Sequence, residues 1–295
     1  MEGKEGERKA SLCVRTDLAC EAGRGEEVEE NACSLEGGIT VHVHRCRGAQ
    51  GGRYVTVFCG KVTLLGEREK ASLSRFLSGE IRRMAEQILG RPLDASTRIL
   101  VAGLGNPHMT ADAVGPEVLR RTTPTRHLKA HDAAVYHALG SCELSMIAPG
   151  VLGQTGIESG VLVKGAVDHV KPHLLVAVDA LAARSCERLA STFQLSDTGL
   201  SPGAGVGNFR LPMNRESMGC PVMGIGVPTV VDSSTLVLDA LERAQIPVEQ
   251  YAGLMEVLEN GRSFVVSPKD CDEILSVTCR ILAGALDHAF GVGEL

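Results

Sequence analysis

Ile99-Leu100-Val101-Ala102-Gly103-Leu104-Gly105-Asn106-Pro107 is the stretch on which the fold turns. A short unbroken apolar run that ends in glycines reads as a strand buried on both faces and closed by a tight loop. Downstream, Asp112 precedes Ala113-Val114-Gly115-Pro116-Glu117-Val118-Leu119-Arg120, which reads as a helix start. A strand, a glycine-rich loop and a helix in that order predict one unit of α/β structure.

A second unit lies further along. Ile157, Val161, Leu162 and Ala166 give helical spacing between Thr155 and Val170, with Lys171-Pro172 as the stop. Leu174-Leu175-Val176-Ala177-Val178 is another buried-strand run, closed by Asp179. Thr192–Leu195 and Val222–Val227 read as strands, with the loop Gly203-Ala204-Gly205-Val206-Gly207-Asn208 between them, and Ser234–Ala244 as a helix. A last helix carries the apolar stripe Ile274, Leu275, Ile281, Leu282 and Leu286, with Ser267 as its expected cap and Pro268 in its first turn.

Working back from Ile99, Leu73, Phe76, Leu77, Ile81, Met84 and Ile88 predict a helix that stops at Gly90 and Pro92. Ile39–His44 and Tyr54–Phe58 alternate with period two around a glycine-rich turn, which predicts a β-hairpin. The whole reads as an α/β fold: a mainly parallel or mixed sheet with helices on both faces, preceded by an N-terminal β-hairpin. Residues 1–36 lack aromatics and are rich in charge and glycine, so a mobile leader is expected, with folded structure beginning near Gly38.

Composition narrows the chemistry. The formal net charge of −6 argues against a nucleic-acid binder, which needs a basic face. Ten cysteines contain no Cys-x-x-Cys and no Cys/His pair at finger spacing, so free thiols in a reducing cytosol are expected, with no metal and no cofactor. No run approaches the roughly 18 apolar residues of a membrane span, and no signal-peptide pattern is visible.

In open α/β sheets ligands bind beyond the carboxyl ends of the strands. Asp112 and Asp179 both fall there. Two carboxylates that resist ionising together can activate water and then protonate a leaving amine. Asp112 is equally suited to capping a helix, Asp179 to opening an Asx-turn, and Asp197 and Asp232 have similar settings. Position alone leaves four acids in play. Gly103-x-Gly105 lacks the rest of a dinucleotide or P-loop fingerprint, so both glycine-rich loops read as tight turns or as backbone amides near a substrate. His42 and His44 share a face of the hairpin where exposure is expected. His108 lies near Asp112, and His131, Asp132 and His137 have no evident convergence. Ser185 and Cys186 lack a neighbouring base.

Several segments, taken in order, resemble the spore germination protease family. They are Val14-Arg15-Thr16-Asp17-Leu18-Ala19, Gly103-Leu104-Gly105-Asn106, Thr110–Pro116, Thr125–Leu128, Ala148–Glu158, Val178–Ser185, Ser196–Gly199, Pro202–Asn208, Ile225–Asp232 and Ser267–Asp270. The resemblance implies an aspartate-dependent endopeptidase that degrades small acid-soluble spore proteins during germination. It implies Asp112 and Asp179 as the catalytic pair, with Asn106, Asn208 and Gly105 as supporting or oxyanion candidates. It further implies a zymogen that cleaves itself between Asp17 and Leu18, so residues 1–17 form a propeptide, 18–36 a leader and 37–295 one protease domain. A tetramer in the cytoplasm of the forespore or spore core, and a fold similar to hydrogenase-maturation endopeptidases, complete the implication. This sequence departs from the family at Pro107-His108, at Phe209–Pro212 and in a shortened region after Val231, the last of which bears on tetramer contacts. Gly-Leu-Gly-Asn-Pro also opens peptidyl-tRNA hydrolases, but Thr125-Arg126-His127 lies far downstream and ends in Leu128. A nickel-dependent maturation protease would need a histidine at the strand ends, and a non-catalytic spore component is the remaining alternative.

Overall fold

A computed structural model describes residues 15–21, 26–48, 52–201, 211–246, 253, 254, 257 and 264–292. Among these, nine strands form one sheet: β1 Glu26–Ser34, β2 Thr40–Arg47, β3 Arg53–Phe58, β4 Arg98–Gly103, β5 Glu143–Ile147, β6 Leu174–Ala183, β7 Thr192–Ser196, β8 Val222–Asp232 and β9 Val265–Val266. Their order is β1-β2-β3-β7-β8-β6-β4-β5, with β9 on β8. The helices are α1 Glu67–Leu89, α2 Val114–Leu119, α3 Arg126–His131, α4 Ala133–Leu139, α5 Leu152–Thr155, α6 Ser159–Val170, α7 Arg215–Met218, α8 Ser233–Arg243 and α9 Cys271–Ala289.

The sheet is mixed rather than mainly parallel. Only β8, β6, β4 and β5 run parallel to one another, while β1, β2, β3 and β7 join antiparallel and β7 meets β8 antiparallel. The hairpin β2–β3 is therefore not an appendage. It extends the central sheet through Thr56↔Gln194 and its neighbouring pairs.

Strand alternation sorts the core into two layers. Val101, Val176, Val178, Ile225, Phe193 and Leu195 point to one face and pack beneath α1, α2 and α9. Leu100, Ala102, Leu104, Leu175 and Ala177 point to the other and meet Val163 and Val167 of α6 and Met218 of α7. Burial of branched aliphatics on both faces explains why the parallel strands read as unbroken apolar runs.

Four boundaries differ from the sequence expectation. Residues 26–34 form β1, so ordered structure begins well before Gly38; this edge strand pairs through its backbone and carries charge, which hides it from an apolar pattern. The helix expected over 155–170 is split, because Gly156 adopts a left-handed φ of 70° that ends α5 and Glu158 recaps α6. The last helix begins at Cys271 with Asp270 as N-cap, leaving Ser267 and Pro268 ahead of it. Strands β6 and β8 run on past Val178 and Val227 to Ala183 and Asp232. Pro228 is tolerated inside β8 because the β6–β8 register shifts between Leu181 and Ala182, the bulge at which a proline needs no ladder bond.

Gly79 sits mid-way along α1, where an added Cβ meets nothing within 4 Å. Gly79→Ala is expected to raise unfolding free energy by about 0.5–1 kcal/mol, read as a higher urea midpoint at unchanged slope.

Candidate active site

The parallel strands do not end together. The β4–β6 ladder closes with Gly103↔Val178, and Leu104 N–H donates to Val178 O at 2.8 Å before the chain turns away. Strand β6 continues for five more residues, paired only to β8 on its other side. Asp179 is thus not the residue after a strand, as the sequence suggested, but a buried mid-strand residue at the point where β4 leaves. Its Oδ1 accepts the Ala180 N–H at 2.9 Å.

Asp112 belongs to the turn that follows the glycine-rich loop. It closes a short 3-10 turn, Thr110–Asp112, and α2 takes Ala113 as its N-cap residue. The Asp112 carboxylate reaches back to accept the Asn106 N–H at 2.9 Å. Two further bonds hold the turn: Thr229, from the β8 bulge, donates to Ala111 O at 2.6 Å, and Thr110 donates to Asp272 of α9 at 2.8 Å. Gly105 is required here on two grounds. Its φ is +111°, and a Cβ would lie 1.9 Å from Asp112 O. The loop and the aspartate turn therefore lock against each other beside the end of β4.

Asp232 and Asp197 have other work. Asp232 is buried as the N-cap of α8, its Oδ1 accepting from Thr235 N and Oγ1. Asp197 accepts both the Arg53 N–H and Nε–H at 2.7 Å. Both carboxylates thus serve structural contacts, one capping a helix and one pairing with an arginine.

Across the sheet, Asp179 of β6, Gly226 of β8 and Gln194 of β7 stand opposite one another, so Asp179 and Gln194 share a face. Gly226 keeps this row low, since a Cβ there would meet Leu181 at 2.3 Å. Above the row is a cavity of about 510 Å³ whose lining includes Asp17, Tyr54, Asp179, Gln194, Asp197 and Arg215. Asp112 is not in that lining; it borders the β4 side of β6.

The N-terminal segment 15–21 crosses this face. Asp17 N–H donates to Ala182 O at 2.9 Å, and the Asp17 carboxylate accepts the Ala182 N–H at 2.8 Å. By strand alternation those Ala182 groups lie on the edge that β4 vacated, as Val178 O does. Leu18 is fully buried among Leu181, Ala183, Leu189 and Val231, a burial that contributes on the order of 2 kcal/mol. Glu21 accepts from Thr16 Oγ1, Arg184 N and Ser185 N, and Arg15 N–H donates to Thr235 Oγ1. The segment, expected from the sequence to be part of a mobile leader, is instead anchored at both ends, with the Asp17–Leu18 peptide held between.

The family model described as germination protease matches residues 26–244 of this chain. Germination proteases of Clostridium acetobutylicum and Clostridium perfringens strain 13 are 33% and 35% identical to it, each alignment covering 94% of both chains. That of Bacillus mycoides is 37% identical over 78% of this chain and 66% of the relative. The chain belongs to the germination protease family.

It is accordingly a peptidase, and the remaining candidates can be weighed as parts of one. Asn106 is half-buried, its Oδ1 accepting from His108 N and Gln154 Nε2. Asn208 and its glycine-rich loop lie outside the described residues. His108 is exposed, as is His42, whereas His44 is half-buried 3.5 Å from Glu30. Thr125 bonds Cys142 O and Leu144 N at the start of β5, so Thr125-Arg126-His127 lies at the end of the parallel strands opposite Asp112. That placement removes the peptidyl-tRNA hydrolase comparison its histidine. Asp132 caps α4, with His131 and His137 exposed. Ser185 Oγ accepts from Glu187 N and Arg243, and burial pushes the Cys186 thiol up, which suits neither to nucleophilic work. Among the described residues no three His, Cys, Asp or Glu side chains are grouped to hold a metal, and no helix is long and apolar enough to cross a membrane. Gln194 went unnoticed in the sequence: a polar residue between Phe193 and Leu195 looks like the solvent face of a half-buried strand.

Gly105→Ala is expected to push the Asp112 turn aside; if Asp112 takes part in the chemistry, peptidase activity falls by about 100-fold, the cost of a displacement of roughly 1 Å. Gly79→Ala is the control with intact activity.

Proposed function

We propose that this chain is an aspartate-dependent endopeptidase in which Asp112 and Asp179 activate water and protonate the leaving amine. The observation that carries the reading is the Asp17–Leu18 peptide docked on the face where Asp179 stands. Support for the pair comes from placement: Asp179 is buried in β6 where β4 leaves the sheet, and the turn carrying Asp112 locks against the glycine-rich loop at the end of β4. In the reaction, water adds to the Asp17 carbonyl carbon and gives one proton to a carboxylate. The C–N bond then breaks as Leu18 N takes a proton from the pair. Asn106 and Gly105 support Asp112 through backbone geometry, the first by its N–H and the second by its missing Cβ.

The docked segment also favours the zymogen reading. Residues 1–17 would be the propeptide, removed by the chain's own site, and the freed cleft would then take small acid-soluble spore proteins as substrates during germination. We place the enzyme in the cytoplasm of the forespore or spore core, assembled as a tetramer, on a scaffold similar to hydrogenase-maturation endopeptidases. The sequence resemblance supports these points.

Asp112→Asn and Asp179→Asn preserve an oxygen to accept the Asn106 and Ala180 N–H groups, so both should fold. In protein lacking residues 1–17, each is expected to slow cleavage of a purified small acid-soluble spore protein by about 100- to 10,000-fold, followed by gel and mass spectrometry. Full activity in both variants would sink the aspartate mechanism, and release of tRNA from peptidyl-tRNA by the unmodified chain would favour the esterase instead.

A further inference from the structure

We infer that Gln194 is a third catalytic residue of this site, its carboxamide holding the peptide bond to be cut and stabilising the oxyanion that forms on it. The inference rests on the proposal that Asp17–Leu18 is the bond this enzyme cleaves in itself.

Gln194 is buried in β7 and points to the same sheet face as Asp179. Its two polar atoms go to the two successive peptide groups that flank Leu18. Nε2 donates to Asp17 O at 2.9 Å, and Oε1 accepts the Ala19 N–H at 2.7 Å. The partners fix which amide atom is which, since a carbonyl can only accept and an N–H only donate. Thr56, opposite Gln194 on β3, stands 3.5 Å from Oε1 on the same face. A buried glutamine whose amide is used up on the backbone either side of Leu18 selects no side chain. It sets which carbonyl is presented.

The chemistry follows from the atom it touches. Asp17 O is the carbonyl oxygen of the Asp17–Leu18 bond. When water adds to its carbon, the C=O electron pair moves onto that oxygen, and the Nε2–H bond strengthens with the charge. One water proton passes to a carboxylate of the aspartate pair. The pair of electrons returns as the C–N bond breaks, and Leu18 N leaves with a proton. Gln194 neither gains nor loses a proton. A donor already bonded to the ground-state carbonyl oxygen at 2.9 Å stands where it can follow that oxygen as charge develops on it. No glycine-loop amide is needed for this role; the Asn106 N–H is already given to Asp112.

The test uses the full chain and a synthetic peptide with the sequence of its residues 11–24. Gln194→Leu removes the donor, and Gln194→Glu is isosteric but donates only when protonated. Gln194→Leu should lower kcat for the peptide by about 100- to 1,000-fold with KM changed far less, the signature of an interaction made in the transition state. Gln194→Glu should be impaired at neutral pH and regain activity relative to the unmodified chain as the pH falls, because the acid form restores an O–H donor. That ratio is read within one folded variant, so misfolding of Gln194→Leu leaves the question decidable. A Gln194→Glu ratio flat with pH, or a loss confined to KM, would overturn the role and leave only a peptide grip. An unmodified chain that cuts neither itself nor the peptide at Asp–Leu would overturn the underlying proposal instead.

Discussion

The site depends on a mismatch in strand length. Strand β4 leaves the sheet after Gly103, while β6 beside it continues to Ala183. Backbone groups on one edge of β6 are then left without a sheet partner, and a buried unpaired N–H or carbonyl costs more than a bond contributes. Asp17 supplies the missing partner twice, through its N–H and its carboxylate. The same departure of β4 sends the chain through Gly105 into the Asp112 turn. One truncated ladder thus creates both the docking edge and the loop that leads into the Asp112 turn.

The second constraint is the row Gln194–Gly226–Asp179, which runs across three strands. In most sheets a central row is apolar, and here it is polar at both ends with a glycine between. The cost of burying Gln194 is met largely by the backbone either side of Leu18 that it binds. The segment that fulfils these groups in the intact chain competes with any other peptide for them. Under the proposed function, self-cleavage and substrate cleavage would draw on one set of contacts.

Much of this was legible in the sequence, for physical reasons. Buried parallel strands must be apolar on both faces, so β4 and the first half of β6 announced themselves, and Gly105 marked the tight loop. The second half of β6 did not, because Asp179 interrupts the run and looks like its end. The antiparallel half of the sheet was missed as a unit, since neither β1, a charged edge, nor the partner of β3 is encoded locally. Among the four acids, sequence position could not separate a helix cap such as Asp232 from a carboxylate at the end of β4 or within β6; the partners Thr235 and Arg53 are distant or ambiguous in one dimension. The anchoring of 15–21 was invisible for the same reason. Only Leu18 is strongly apolar there, and its pocket is assembled from β6, β8 and the turn at Leu189.

The most direct measurement is the order of the self-cleavage reaction. The Asp17–Leu18 bond lies in the cleft of its own chain, so its hydrolysis should be unimolecular. Across a dilution series of freshly purified intact chain, the half-time for the appearance of a new N-terminus at Leu18 should not change. A half-time that lengthens in proportion to dilution would mean that the bond is cut by another molecule, and would contradict the docked geometry from which this account is built.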